Sequence, residues 1–487
     1  VRRVWGNGGM AQIIVGKLGF GKDDFYYGME LAIHKSGYTA YSVDVATASA
    51  CDVLLVTMFW WRDIYNLESF LRASGIRRGT GKPWIIAGGM EATMTPEIIA
   101  PMVDAVFIGD ADDHLKGILD GIAAGGKPES PYFYRDGDVP PPIPAECAPS
   151  AFVLQKGGAR DVARIEIARG CRFRCGFCAL TGLKSYREVP FDHVEPYLAR
   201  LPRGHPVSLF APERVVHRDW PKYQDAIERY GLRDHGQDVR IEGLHKIHSV
   251  SATFGLEGIS FKLRKVAGKA WKESYVVDRI RQFVEDNRRI AYLTAYFIAD
   301  LPGEDAADWA EAWHLFETIE NAHWSRKLTF KPVLNPFSPK PFTPLQGRIV
   351  HPFRPYETIW HNLLRKGGGE QWGFRLVETL VWGPFERVMD AIATNGKRKG
   401  YEVVRRLPTK LLTGKPPKSR NVDIAKQLLK LAYAQGLTDR DLRIDLDPTI
   451  PQSEPEVEHE VARMAAETMV RLEREVPGLE FAHARGD

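Results

Sequence analysis

Arg169-Gly170-Cys171-Arg172-Phe173-Arg174-Cys175-Gly176-Phe177-Cys178 gathers three of the chain's five cysteines into eight residues, with three residues between the first pair and two between the second. Thiolates are the soft ligands that iron–sulfur clusters select, and such short spacings let one loop wrap a cluster. Three protein ligands for a cubane of four irons leave one iron open to a ligand of another kind. Structural zinc is the competing reading. Zinc wants four ligands, however, and the nearest downstream histidine, His193, lies too far along the chain for knuckle spacing. A disulfide framework does not suit five cysteines in 487 residues. Arg169, Arg172 and Arg174 favour the thiolate form of nearby cysteines.

The loop resembles the cluster loop of the radical S-adenosylmethionine (SAM) enzymes, and Phe177 matches the aromatic residue usual before the last cysteine. The resemblance implies a 4Fe-4S cluster on Cys171, Cys175 and Cys178, with the amino and carboxylate groups of SAM on the open iron. An electron from the cluster would then cleave SAM to a 5′-deoxyadenosyl radical. Tyr186-Arg187 is similar to the family's Tyr-Arg element, whose arginine orders the cluster region. Val207-Ser208-Leu209-Phe210-Ala211-Pro212-Glu213 reads as a strand ending where the family binds the SAM amino group, usually through Gly-Gly-Glu. Here the sequence is Ala-Pro-Glu, and Glu213 is the expected acceptor.

Gly255-Leu256-Glu257-Gly258-Ile259-Ser260-Phe261-Lys262-Leu263-Arg264 is similar to a second family segment at a strand end. By that resemblance Glu257 and Ser260 face the ribose or methionine of SAM, and Arg264 meets its carboxylate in a forked geometry. Taken alone, Arg264 reads equally as a salt bridge on the following helix. Asp300-Leu301-Pro302-Gly303-Glu304 resembles the family's Gly-Leu-Pro-Gly-Glu turn, with Glu304 expected to start a helix. Pro339-Lys340-Pro341-Phe342-Thr343-Pro344-Leu345-Gln346 resembles an ending seen in cobalamin-type members. Strands are expected at 165–168, 207–213, 239–244, 291–299 and 328–334, with another ending in the Gly255–Arg264 segment; six strand–helix units make a partial (β/α)6 barrel.

Upstream, strands at 11–15, 38–45, 52–57, 83–87 and 103–108 alternate with helices at 24–36 and 67–73, the pattern of a parallel, doubly wound sheet. Gly88-Gly89-Met90-Glu91-Ala92-Thr93-Met94-Thr95-Pro96-Glu97 and Asp104-Ala105-Val106-Phe107-Ile108-Gly109-Asp110 resemble the cobalamin-binding domain that precedes the barrel in one large radical SAM subfamily. Gly88, Gly89 and Gly109 would then let backbone approach the corrin. No Asp-x-His-x-x-Gly sequence marks a lower axial ligand, so Trp60, Trp61 and Arg62 are the candidates for that face of the cobalt. A domain without corrin, with Trp60 and Trp61 as core residues, is the competing reading.

The fold class expected is therefore α/β, with four regions. These are an N-terminal doubly wound cobalamin-binding-type domain at 1–127, a proline-rich linker at 128–160, a partial radical SAM barrel at 161–350, and a helical C-terminal domain at 351–487 that caps the barrel. The last has helical periodicity at 356–364, 374–393, 423–433 and 456–475. Hydrophobic residues at 44% and charged residues at 26% describe a globular protein, and no run suits a membrane span. No signal-type segment is visible, so a cytoplasmic location is expected. Net charge is +4, with a local basic concentration at Lys397-Arg398-Lys399 and from Arg405 to Arg420.

The resemblance implies an enzyme that methylates an unactivated carbon or phosphorus with methylcobalamin and SAM, served by an electron donor such as flavodoxin or ferredoxin. The substrate is open among small metabolites, peptides and nucleic acids, and a monomer or small homo-oligomer is expected. Two alternatives stand. One is a radical SAM enzyme without cobalamin that carries out rearrangement, cyclisation or methylthiolation; the other is a non-catalytic iron–sulfur or zinc protein that binds nucleic acid.

Overall fold

Apolar runs such as Val53-Leu54-Leu55-Val56 and Ile85-Ile86-Ala87 bury both faces of a strand, as a parallel sheet covered by helices requires. A computed structural model describes residues 13–20, 27–139, 141, 147, 149, 151–154, 161–235, 238–246, 251–287, 292–321, 329–354, 356, 360, 383–413 and 421–446. The chain divides into two compact units: Val1–Cys147 with Pro384–Ile444, and Ala148–Gly383 with Asp445–Asp487. No helix among the described residues is long and apolar enough to cross a membrane.

The first unit contains β1 (Val15–Leu18), β2 (Ala40–Ser42), β3 (Val53–Thr57), β4 (Trp84–Gly88), β5 (Ala105–Phe107) and β6 (Phe133–Tyr134). Their order is β2-β1-β3-β4-β5-β6, parallel except for β6, which runs antiparallel to β5. Helices Tyr27–Ser36 and Leu115–Ala123 press Ala32, Ile33, Ile118 and Leu119 onto Val15, Val53, Ile86 and Phe107. The first strand lies downstream of the expected 11–15. It runs through Gly16, where a methyl group would stand 2.6 Å from the Cys51 sulfur, so the glycine is a packing requirement inside the strand rather than its end.

The expected single domain at 351–487 is not what forms. Helices Pro384–Asn395, Lys397–Val404, Thr409–Thr413 and Asn421–Ala434 belong to the first unit. Tyr65, on helix Arg62–Ser74, donates to the Met389 carbonyl at 2.7 Å. Arg72, about two turns further along the same face of that helix, donates to the carbonyls of Leu407 at 2.6 Å and Val404 at 3.2 Å. Those carbonyls lie at and just beyond a helix C-terminus, where a guanidinium is the natural partner. The expected helix at 456–475 and most of 356–364 lie outside the described residues, as does much of the linker.

In the second unit, β8 (Ala163–Glu166), β11 (Pro206–Phe210) and β12 (Arg233–Asp234) run parallel, with β7 (Val153–Leu154) antiparallel at the edge. A hairpin pairs β9 (Ala168–Arg169) with β10 (Arg187–Glu188). A second parallel sheet holds β13 (Asp238–Val239), β14 (Ser251–Gly258), β15 (Tyr292–Ala299) and β16 (Thr329–Pro336) in chain order. Among the described residues the expected barrel is thus two sheets with helices in the crossovers. The expected strand at 239–244 is only Asp238–Val239, followed by a 3-10 helix, Ile241–Lys246. The Arg240 N–H donates to the Glu213 carboxylate at 2.6 Å, which takes the backbone out of the ladder.

After β15, Asp300 adopts φ +68° and its N–H donates to Glu304 at 2.7 Å, so Glu304 closes the turn rather than simply starting a helix. Asp300 also accepts from the His351 backbone N–H at 2.7 Å and lies 2.8 Å from its ring Nδ1. Burial pushes the Glu304 carboxyl up to about 8, with the Arg354 charge opposing it.

Gly89 adopts φ +104°, and a methyl group there would stand 2.5 Å from the Met58 carbonyl oxygen. Gly117, inside helix Leu115–Ala123, has open space. Gly89→Ala should therefore destabilise the protein by about 2 kcal/mol, whereas Gly117→Ala should stabilise it by up to about 1 kcal/mol. Thermal midpoints of the two variants moving in the same direction would contradict this packing.

Candidate functional site

The cysteine loop leaves β9 and returns through β10, so the pairing of Arg169 with Arg187 closes it like a purse. Arg187 thereby holds the loop base through its backbone. Gly170, at φ +74°, is packed so tightly that a methyl group would stand 1.9 Å from the Ser185 carbonyl oxygen. Inside the loop, the Gly176 N–H donates to Ala267 at 3.2 Å and its carbonyl accepts from Leu345 at 3.1 Å. A methyl group on Gly182, in the short helix after the last cysteine, would stand 1.9 Å from the Phe342 carbonyl oxygen. The Pro339–Gln346 segment is thus a brace beneath the cysteine loop.

Two of the loop arginines have carboxylate partners and the third faces solvent. Arg169 forks onto Glu166, with its Nε 3.0 Å and its Nη2 2.7 Å from the two carboxylate oxygens. Arg172 lies 3.3 Å from Glu188 and over the Tyr186 ring, and Arg174 is exposed. The guanidinium that reaches a thiol belongs to Arg240, whose Nη1 donates to the Cys175 sulfur at 3.4 Å. Its Nη2 donates to Glu242 at 3.2 Å, and its guanidinium carbon lies 3.9 Å from the Phe173 ring centre and 4.9 Å from that of Trp271. Trp271 donates to the same Glu242 oxygen at 2.7 Å. Arg240, Glu242, Lys269 and Trp271 were not among the sequence candidates. The available signal was a charged pair, Arg240 and Glu242, inside an apolar run at an expected strand end.

Glu213 is buried beside this group, and burial pushes its carboxyl up to about 7 against the backbone N–H and charge of Arg240. Its Oε1 and the Glu242 Oε2 have no hydrogen-bond partner among the described residues. A buried unpaired carboxylate oxygen costs about 1–3 kcal/mol, so both positions suit a ligand that donates. Burial and then the neighbouring Cys175 charge raise the Cys171 thiol above its ordinary range. The same two causes push Cys178 up to about 12, with the Lys269 charge opposing. The Cys171 and Cys178 thiols are thus harder to ionise without a positive partner, which a bound metal would supply. Among the described residues no group of three His, Cys, Asp or Glu side chains forms a ready-made metal site. The donor chemistry fits a thiolate-held cluster: soft ligands on one loop, counter-charge wanting, and two oxygens open to an ammonium. Phe177 is half-buried next to Cys178.

Glu257 sits at a bulge in β14, where Gly255 pairs with Tyr296 but Glu257 pairs with Phe297. Its φ of +65° belongs to the left-handed region, and its carboxylate meets the Lys269 ammonium at 2.9 Å. A methyl group on Gly255 would stand 1.9 Å from that carboxylate, which explains the glycine. Ser260 and Arg264 are both held beside the strand end by the helix that follows, and the Arg264 Nη1 is buried with no partner among the described residues. Ser260 caps helix Phe261–Val266 by accepting from the Leu263 N–H at 3.1 Å, and donates to Asp308 at 2.5 Å. Arg264 is fully buried, donating to the Trp271 carbonyl at 2.8 Å and to Glu311 at 3.2 Å. Both side chains are engaged by the helix packing that follows the strand.

In the first unit, Trp60 is exposed at the end of β3, while Trp61 is buried edge-on against Tyr65 at 5.9 Å between ring centres. Trp61 is thus a core residue. Arg62 lies over the Trp61 ring and within 4.0 Å of Glu386. Gly88 ends β4, and Gly109, at φ +88°, donates to the Thr93 hydroxyl at 3.0 Å. Asp63 accepts the Phe59 and Trp60 N–H groups at 2.8 and 3.0 Å, fixing the turn that displays Trp60.

Replacing Arg264 by Met should lower the stability of the ligand-free protein by about 2 kcal/mol, because the Trp271 carbonyl loses its donor. Unchanged thermal stability would contradict this packing role.

Residues 26–130 match a family model described as radical SAM proteins, N-terminal. No curated protein matches the chain. Among solved structures, it is similar to the cobalamin-dependent S-adenosylmethionine radical enzyme OxsB with aqua-cobalamin bound. That match has TM-score 0.44 and 11% identity, and covers 94% of this chain and 84% of OxsB. It is also similar to methylornithine synthase, PylB, with TM-score 0.28 and 12% identity, covering 62% of this chain and 85% of PylB. The family-model match thus falls on the N-terminal sheet, and the three-cysteine loop follows it in the chain.

Proposed function

We propose that this protein is a cobalamin-dependent radical SAM methyltransferase acting on an unactivated carbon or phosphorus centre. The observation that carries the radical SAM part is the meeting of three electrostatically coupled cysteines with Glu213, Arg240, Glu242 and the Glu257–Lys269 pair. Cys171, Cys175 and Cys178 would hold a 4Fe-4S cluster, and the open Glu213 oxygen would accept from the SAM ammonium. When bound, the cluster supplies the electron that cleaves SAM, and cobalamin supplies a transferable methyl group. The chain's own work is orientation: Gly176 fixed between Ala267 and Leu345 sets the loop, and the bulge at Glu257 aims a charged pair beside it.

Support for cobalamin comes from the resemblance of Gly88–Glu97 and Asp104–Asp110, and from Trp60, displayed at a strand end where doubly wound sheets take ligands. One observation favours a second reading, a radical SAM enzyme without corrin. The close approach of Gly89 to Met58 and the burial of Trp61 account for two of the corrin candidates by internal packing alone. The nucleic-acid reading is disfavoured by pairing in the basic region: Arg398, Arg405 and Arg406 all bond to Glu402, and Arg398 also to Asp136. By the family resemblance the protein would act in the cytoplasm as a monomer or small homo-oligomer, reduced by a flavodoxin or ferredoxin, on a small metabolite, peptide or nucleic acid.

Anaerobic purification with cobalamin supplied should yield about four irons per chain together with stoichiometric cobalt. The Cys171→Ala, Cys175→Ala, Cys178→Ala triple variant should lose the iron and keep the cobalt. Iron without cobalt would select the second reading, and zinc in place of iron would refute the proposal.

A further inference from the structure

We infer that Arg240 raises the reduction potential of the cluster carried by the cysteine loop, through a charge-assisted hydrogen bond to the Cys175 sulfur. This rests on the cluster reading above and assigns a role to a residue outside the motifs that led to it. The geometry leaves the guanidinium little freedom. Its Nη1 points at Cys175 Sγ, 3.4 Å away, while Nη2 is held by Glu242 at 3.2 Å. Phe173 and Trp271 stack against it, and its own backbone N–H is tied to Glu213 at 2.6 Å. Glu242 is fixed in turn by the Trp271 indole at 2.7 Å. Arg240 is 6% exposed, so water screens the interaction little.

When one electron enters an iron–sulfur cluster, negative charge grows on its sulfurs, and donors to those sulfurs stabilise the reduced state. The step moves one electron from a low-potential one-electron donor to the cluster. No proton is transferred, because arginine is charged in both states. Glu213 and Glu242 oppose the effect and Lys269 adds to it; the Phe173 and Leu180 backbones also bond to the Cys171 and Cys178 sulfurs, but those donors are neutral, whereas Arg240 brings a full charge to Cys175. Among the loop arginines, Arg169 pairs with Glu166, Arg172 pairs with Glu188, and Arg174 is exposed. Charge alone would make any of these equivalent. The directed bond makes Arg240 distinct.

The test is an anaerobic dithionite titration of the reconstituted full-length protein, followed by electron paramagnetic resonance, with iron content measured alongside. Wild type is compared with Arg240→Gln, Arg240→Lys and Arg174→Gln. Arg240→Gln should retain iron, yet its ratio of reduced to oxidised cluster at the wild-type midpoint should fall about tenfold, a shift of about 59 mV to more negative potential. Arg240→Lys should fall between the two, and Arg174→Gln should match wild type. An unchanged midpoint in Arg240→Gln, or an equal shift in Arg174→Gln, would overturn the inference. So would loss of iron from both Arg240 variants, which would make the residue a folding element. A wild-type protein that binds no iron would instead overturn the cluster reading itself.

Discussion

A guanidinium buried among two carboxylates, two aromatic rings and a thiol is the constraint on which the rest of the second unit depends. Arg240 cannot be desolvated without partners, because an unpaired buried charge costs several kcal/mol. Glu242 supplies one partner, and the Phe173 and Trp271 faces supply two more. Glu213 takes the Arg240 backbone N–H where the strand Asp238–Val239 gives way to the 3-10 helix Ile241–Lys246. That change of backbone puts Arg240 and Glu242 against the cysteine loop. Local backbone geometry and site chemistry are here the same event.

The glycines are the counterpart on the backbone side. Gly170 and Gly182 lie on the backbones of Ser185 and Phe342, and Gly255 leaves room for the Glu257 carboxylate. Each is a position where a side chain would push the cysteine loop or its neighbours apart. In the first unit Gly89 does the same against Met58, so a glycine that reads as an approach to ligand is equally a close approach of two turns. Burial of Trp61 and exposure of Trp60 follow from the turn that Asp63 caps, not from the side chains' own chemistry.

Much of the fold was legible because it depends on local patterns. The apolar runs at 53–57 and 84–88, the cysteine loop and the proline–glycine turn before Glu304 each announce themselves within a few residues. What was not legible depends on distant partners. Nothing near Arg240 or Lys269 in the chain names Cys175 or Glu257 as a neighbour. Nor does the sequence name Leu263 and Asp308 as partners of Ser260, or Trp271 and Glu311 as partners of Arg264. The helices from Pro384 onward showed their periodicity but not their unit, because that is decided by Tyr65 and Arg72, more than three hundred residues earlier. Periodicity states that a face is buried; it does not state against what.

The central claim is that the cysteine loop and the buried charged group around it form one SAM-dependent redox site. The most direct measurement is the electron paramagnetic resonance spectrum of the anaerobically reduced protein before and after SAM is added, with the mixture assayed chromatographically for 5′-deoxyadenosine. The account predicts that SAM alters the cluster signal and that 5′-deoxyadenosine forms. A reduced cluster whose signal SAM leaves unchanged, with SAM recovered intact, would contradict it.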